Sequence, residues 1–151
     1  MRLSKNFTLE EFLVSQTATR QDIDMTPSQH VIENIQRLVT ACLQPLRDEV
    51  GVGIFISSGF RPLELNTRIG GSKTSAHIRG DAADLKVINQ TPYDTCELIV
   101  AMKLPFDQVI HEFGRWVHLG VSDMLRGEKL TAYKKDKRTR YVNGIVKMED
   151  L

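Results

Sequence analysis

Ser75-Ala76-His77-Ile78-Arg79-Gly80-Asp81-Ala82-Ala83-Asp84-Leu85-Lys86-Val87 is the stretch on which the reading of this chain turns. Ala82 to Val87 has the composition of a strand, and Gly80 just before it lets the backbone close a tight turn. Turn and strand place a histidine and an aspartate on adjacent backbone segments, with Ala82 and Ala83 leaving space beside them. A third ligand-type side chain comes from Trp116-Val117-His118 further along. On a strand, His118 shares one face with Trp116 and Gly120 and can be aimed at the same point. Two imidazoles and one carboxylate suffice for a catalytic zinc, which takes three protein ligands and keeps a fourth position open. The predicted ligands are His77, Asp84 and His118, with one zinc per chain. A ligating imidazole needs its other nitrogen hydrogen-bonded, and Ser75 is the candidate for that role. Taken singly, His77 reads as a loop histidine and Asp84 as a strand-edge acid. Together, in this glycine and alanine frame, they point to a metal.

Working outward, Ile54 to Ser57 reads as a buried strand ended by Ser58-Gly59-Phe60-Arg61. Pro62 starts a short helix to about Arg68, and Gly70-Gly71-Ser72 opens the loop into the histidine stretch. Thr91-Pro92 starts another helix with Leu98, Ile99 and Met102 on its buried side. Gln108–Phe113 and Trp116–Val121 form a hairpin turning at Gly114-Arg115. The strongest helix begins at Thr26, with Thr26 as cap, Pro27 in the first turn and Gln29 closing a capping box. Its apolar stripe is Val31, Ile32, Ile35, Leu38, Val39, Cys42, Leu43 and Leu46. Pro45 predicts a kink or an early stop, and Gly51 and Gly53 mark the exit. Thr8 to Glu11 is a second capping box, opening a short amphipathic helix with Leu9, Phe12 and Leu13 inward. Tyr141–Val146 reads as a last edge strand. The element order predicts an α+β fold, a small antiparallel sheet with helices packed on one side. The expected organisation is one domain over 1–151, with a core over about 6–121 and a basic C-terminal segment at 132–151.

The chain has 151 residues, 41% apolar and 26% charged, with a net charge of +1. That size holds one core, and so small a net charge argues against whole-chain attraction to nucleic acid or anionic membrane. No apolar run reaches the roughly 20 residues needed to span a bilayer, so no membrane insertion is expected. Met1-Arg2-Leu3-Ser4-Lys5-Asn6-Phe7 is followed by no apolar signal region. Cys42 and Cys96 lie in apolar helical patterns and read as buried free thiols. The run Lys134, Lys135, Lys137, Arg138, Arg140 reads as a solvated basic segment. No heptad pattern or large apolar stripe is visible, and a monomer is expected.

Ser75-x-His77-x-x-Gly80-x-Ala82-x-Asp84 resembles the signature of the zinc D-Ala-D-Ala carboxypeptidase family. Ser58-Gly59-Phe60-Arg61, Leu65-Asn66, Gly70-Gly71-Ser72, Phe106-Asp107-Gln108 and Trp116-Val117-His118 resemble its small, phage-type branch in kind and order. The resemblance runs from about Asn6 to Val121. It implies the same three zinc ligands and makes Arg61 the group that holds a substrate carboxylate or carbonyl, a task suited to its planar fork of donors. Ser75 and Trp116 would line the substrate, though Trp116 also suits plain core packing. Asp107 and Gln108 would orient loops or a ligand.

The chain departs from that pattern at the general base. Many relatives carry an acid three residues before the last histidine ligand, where this chain has Arg115. The nearest acid is Glu112, next to the titratable His111. A two-residue turn would set His111 across from His118, whereas a three-residue Phe113-Gly114-Arg115 loop would bring Glu112 onto the face of His118. Glu112 is the favoured base and His111 the runner-up. The implied activity is zinc-dependent cleavage of peptidoglycan peptides, as a D-Ala-D-Ala carboxypeptidase or a stem or cross-bridge endopeptidase. The implied setting is a phage or prophage lytic enzyme, made in the cytoplasm and acting on the wall after release, or carried on the virion. The alternative is a zinc-containing module that binds the cell wall without catalysis.

Overall fold

Alternation along six strands sorts the side chains onto the two faces of one sheet. In the computed structural model, which describes residues 1–151, these strands are β1 (Ile54–Ser58), β2 (Ala82–Val87), β3 (Gln108–Glu112), β4 (Trp116–Gly120), β5 (Glu128–Lys135) and β6 (Arg138–Asn143). Their order across the sheet is β1-β2-β4-β3-β5-β6. Every neighbouring pair is antiparallel except β3 with β5, which is parallel. The fold is α+β, as the element order predicts.

One face is apolar. Ile54, Ile56, Ala83, Leu85, Val87, Val109, Val117 and Leu119 join the stripe Val31, Ile35, Leu38, Val39, Cys42, Leu43 and Leu46 in a single core. Burying each large aliphatic side chain in such a core stabilises the fold by about 1.5–3 kcal/mol. The stripe runs along α2 (Gln29–Leu38), the π turn Val39–Leu43 and α3 (Gln44–Val50), while α5 (Pro92–Ala101) adds Cys96 and Ile99. Leu98 and Met102 are only partly buried at its margin. Two shorter helices, α1 (Gln16–Arg20) and α4 (Leu63–Arg68), sit outside this stripe, and Ala18, Ile23 and Leu65 make a small second cluster between them. The other face of the sheet carries Asp84, Glu112, Trp116 and His118 toward a groove.

Several local expectations are corrected. The cap of α2 is Ser28, whose hydroxyl accepts from the Val31 N–H at 3.2 Å, while Thr26 bonds back to Asp24. Pro45 does not stop the helix, which runs on to Val50. Val39–Leu43 forms a wide π turn, and α3 starts at Gln44, so Pro45 falls in its first turn. The wider turn makes room for the proline ring, and a first-turn residue needs no N–H. The Thr8–Glu11 capping box is present, but it closes only a 3-10 turn over Leu9–Phe12. β1 is a half-buried edge strand rather than a buried one, with Phe55 in solvent.

The largest difference lies after Val121. The basic segment is a hairpin, β5 and β6, turning at Asp136-Lys137, where both residues have positive φ. Such a pair is the mark of a tight hairpin turn. β5 escapes the sequence because Glu128–Lys135 is mostly charged or exposed, with only Thr131 and Ala132 fully buried. Cys42 and Cys96 are free and buried, and burial pushes both thiols up to about 12, which leaves them unreactive.

Candidate metal centre

His77 is delivered by a 3-10 turn, Ala76–Arg79, that lies against α2. The Ser75 hydroxyl caps this turn by accepting from the His77 N–H at 3.2 Å. Gly80 ends it at φ +78°, a conformation that glycine adopts without strain. A Cβ at Gly80 would also sit 2.9 Å from the Val31 carbonyl oxygen, so the close packing of this turn on α2 requires glycine twice over. Asp81 locks the arrangement: its buried carboxylate accepts from Arg37 at 3.1 Å and Arg79 at 2.9 Å. β2 then begins, and Asp84 lies directly across from His118 on β4.

The three side chains meet. Asp84 Oδ1 is 3.3 Å from His77 Nε2 and 3.1 Å from His118 Nδ1. All three ligand atoms lie within 4.8 Å of one another, and all three residues are buried. Tetrahedral zinc with bonds of about 2.0–2.1 Å sets its ligand atoms roughly 3.3 Å apart. His77 Nδ1 lies 2.7 Å from the Gly59 carbonyl, an acceptor only, so Nδ1 carries the proton and Nε2 presents a lone pair to Asp84. A lone pair facing a carboxylate oxygen at this distance repels it unless a cation lies between. The donor set and its spacing therefore fit zinc. The orienting bond that the sequence reading assigns to Ser75 comes instead from the Gly59 carbonyl.

Gly59 is itself dictated by packing. A Cβ there would lie 2.6 Å from the Phe12 carbonyl oxygen, against the 3-10 turn near the N-terminus. Ala83 also departs from expectation, since it faces the apolar core, and only Ala82 shares the face of Asp84.

The charges are strongly coupled. Burial opposes ionisation of Asp84, yet His118 and, when its ring is protonated at both nitrogens, His77 hold its carboxyl well below the usual range. Burial lowers His77, with Asp84 working against it. Burial would lower His118 too, but its hydrogen bond to Asp84 and the charges of Asp84 and Glu112 raise it above the ordinary histidine value.

The β3–β4 connection is the three-residue loop Phe113-Gly114-Arg115. Glu112 pairs with Trp116, and Ile110 pairs with His118. Phe113 and Gly114 both take positive φ to make this loop. Glu112 therefore shares the face of His118, with Oε1 3.8 Å from Nδ1. Burial and the charge of Asp84 raise its carboxyl above the usual range, against His118, Trp116 and Arg61. His111 points to the opposite face, where Nδ1 meets the Val146 carbonyl at 2.9 Å and the ring packs edge-on against Tyr93. The runner-up base is thus turned away from the metal ligands.

Arg61 lines the same groove, tied to the centre through its backbone N–H, which donates to the His77 carbonyl at 3.0 Å. Its guanidinium has no ion-pair partner, and Nε is buried without a hydrogen bond. Burial lowers its pKa, against Asp84 and Glu112. Trp116 stands beside Glu112 with its edge to Phe113, and its indole N–H is buried without a partner of good geometry. Ser75 also borders the groove, which encloses about 560 Å³. Asp107 orients a loop, as expected, by holding the Arg126 side chain at 2.8 and 2.9 Å.

Residues 5–120 match the family model described as Peptidase M15. The chain belongs to this family. M15 peptidases are zinc-dependent, in keeping with the donor set above. No curated protein matches the chain. The groove of this M15 peptidase has contributors that sequence reasoning missed: the Gly59 carbonyl, Asp81, Leu130 and Tyr141. Gly59 lies within Ser58-Gly59-Phe60-Arg61, but a backbone carbonyl leaves no side-chain signal. Leu130 and Tyr141 come from the hairpin beyond the matched residues.

Proposed function

We propose that this protein is a zinc-dependent peptidase that cleaves peptidoglycan peptides, either removing a terminal D-Ala or cutting within the stem or cross-bridge. The observation that carries the reading is the convergence, in one groove, of three metal-ligand atoms, Glu112 and an unpaired Arg61. When bound by His77, Asp84 and His118, zinc would supply Lewis-acid activation of a water nucleophile and of the scissile carbonyl. Glu112 accepts the proton of the attacking water and returns it to the leaving amine. Its carboxyl, raised above the usual range by burial and by the charge of Asp84, suits this double task, because a more basic carboxylate takes up the water proton more readily and can then return it. Arg61 holds a carboxylate or carbonyl of the substrate with donors that no protein group already occupies. The setting we propose is lysis of a bacterial wall by a phage or prophage product.

A wall-binding module without catalysis would have no use for a carboxylate on the ligand face beside an unpaired guanidinium. Mass spectrometry of purified peptidoglycan, digested with zinc-loaded protein beside a chelated control, tests the reading. Zinc-dependent loss of one alanine identifies a carboxypeptidase, and new internal amino termini identify an endopeptidase. An unchanged peptide profile on every wall type would overturn the proposal.

A further inference from the structure

Glu112, Ala132 and Tyr141 lie in one row across β3, β5 and β6. Partners in register point to the same face of a sheet, so the Tyr141 ring stands on the groove side with only the methyl of Ala132 between it and Glu112. Two strand spacings, about 10 Å, separate the backbones of Glu112 and Tyr141. Both side chains are long enough to close most of that gap. Leu130 sits one pleat away, paired with Ile110, which itself pairs with His118. Ile110, Leu130 and Tyr141 all line the groove that holds the metal ligands. Tyr141 is 58% exposed, so its hydroxyl is open to a ligand. Its hydroxyl makes no hydrogen bond within the protein. A phenol is protonated at neutral pH and can donate; burial, then the charge of Glu112, raises its pKa further.

We propose that the β5–β6 hairpin builds a substrate subsite on this groove, in which the Tyr141 hydroxyl donates a hydrogen bond to a peptide carbonyl and Leu130 packs against an aliphatic side chain. The subsite lies outside residues 5–120, the part of the chain that matches the family. It takes the stretch of peptide that extends past Glu112, away from Arg79 and Asp81 at the other end of the groove. The inference rests on the peptidase reading above.

The test compares zinc-loaded wild type, Tyr141→Phe and Leu130→Ala on peptides of increasing length, and measures binding of the same peptides to the zinc-loaded Glu112→Gln protein with and without Tyr141→Phe. Removing one ligand hydrogen bond of about 1.4 kcal/mol weakens binding about tenfold. Tyr141→Phe is therefore expected to raise KM and Kd about tenfold on long peptides, with kcat little changed and thermal stability retained. The loss should vanish on peptides too short to pass Glu112. A purely structural role for the ring would not produce that dependence on length. Equal KM and Kd for Tyr141→Phe and its parent at every length would overturn the subsite while leaving the peptidase reading intact. If wild type neither binds nor cleaves any wall peptide, the peptidase reading fails and the subsite fails with it.

Discussion

Asp84 and His118 face each other directly across β2 and β4, with Oδ1 and Nδ1 3.1 Å apart. The cross-strand register sets this pair, and the turn ended by Gly80, just before β2, brings His77 to it. Removal of any one of the three side chains breaks the ligand set, because two protein ligands hold zinc far more weakly than three. His77→Ala and Asp84→Ala are each expected to bind no stoichiometric zinc after dialysis, whereas wild type binds one per chain. Metal analysis of the dialysed proteins checks this. Full zinc retention by both variants would place the metal elsewhere.

Zinc binding should be pH-dependent with a definite sign. The metal-free protein holds His118 protonated to a higher pH than an ordinary histidine, chiefly because burial is outweighed by its bond to Asp84. Zinc needs the lone pair on that nitrogen, so binding releases a proton below the raised pKa. Affinity is expected to fall as pH drops through that value and to level off above it. Calorimetry at one pH near neutrality, in buffers of different ionisation enthalpy, should report net proton release.

Glu112→Gln keeps the shape of the side chain and removes its basicity. Zinc content should stay at wild-type level while kcat falls about 10²- to 10⁴-fold, the usual weight of a positioned general base. Near-normal turnover by this variant would remove Glu112 from the mechanism. His111→Gln, on the other face of the sheet, should leave turnover within a few fold of wild type in correctly folded protein.

Arg61→Lys retains charge but loses the planar fork of donors. A hydrogen bond to a charged partner contributes about 1.5–3 kcal/mol, so kcat/KM should fall about tenfold or more. Steady-state kinetics with zinc saturating would show it, and unchanged kinetics would leave the unpaired guanidinium without a substrate role.

Much of this was legible in the sequence. The ligand set could be read because a glycine-bounded turn and a two-residue alternation have few ways to fold, and both bring His77, Asp84 and His118 together. The choice between Glu112 and His111 could not be read, because it depends on one residue of loop length. Phe113 at positive φ, an uncommon state for a bulky residue, closes the three-residue loop that settles the facing. β5 was hidden because pairing with β3, rather than its own apolar pattern, makes it a strand. The carbonyl of Gly59 was hidden because a backbone atom acts there in place of a side chain.

Gly80→Ala separates packing from chemistry. The positive φ costs roughly 1–2 kcal/mol for any residue with a Cβ, and the clash with Val31 adds to it. Chemical denaturation of the metal-free variant should show at least that loss. Zinc affinity should fall as well, because the turn that presents His77 is displaced. A loss of stability without a loss of affinity would mean that the turn does not set the ligand geometry.

The most direct test of the central claim is peptide turnover by metal-free protein titrated with zinc. Activity is expected to be absent without metal, to rise linearly and to saturate at one zinc per chain, with no recovery for Asp84→Ala at the same zinc. Turnover that persists after complete chelation, or that rises equally in Asp84→Ala, would contradict a zinc centre built from His77, Asp84 and His118.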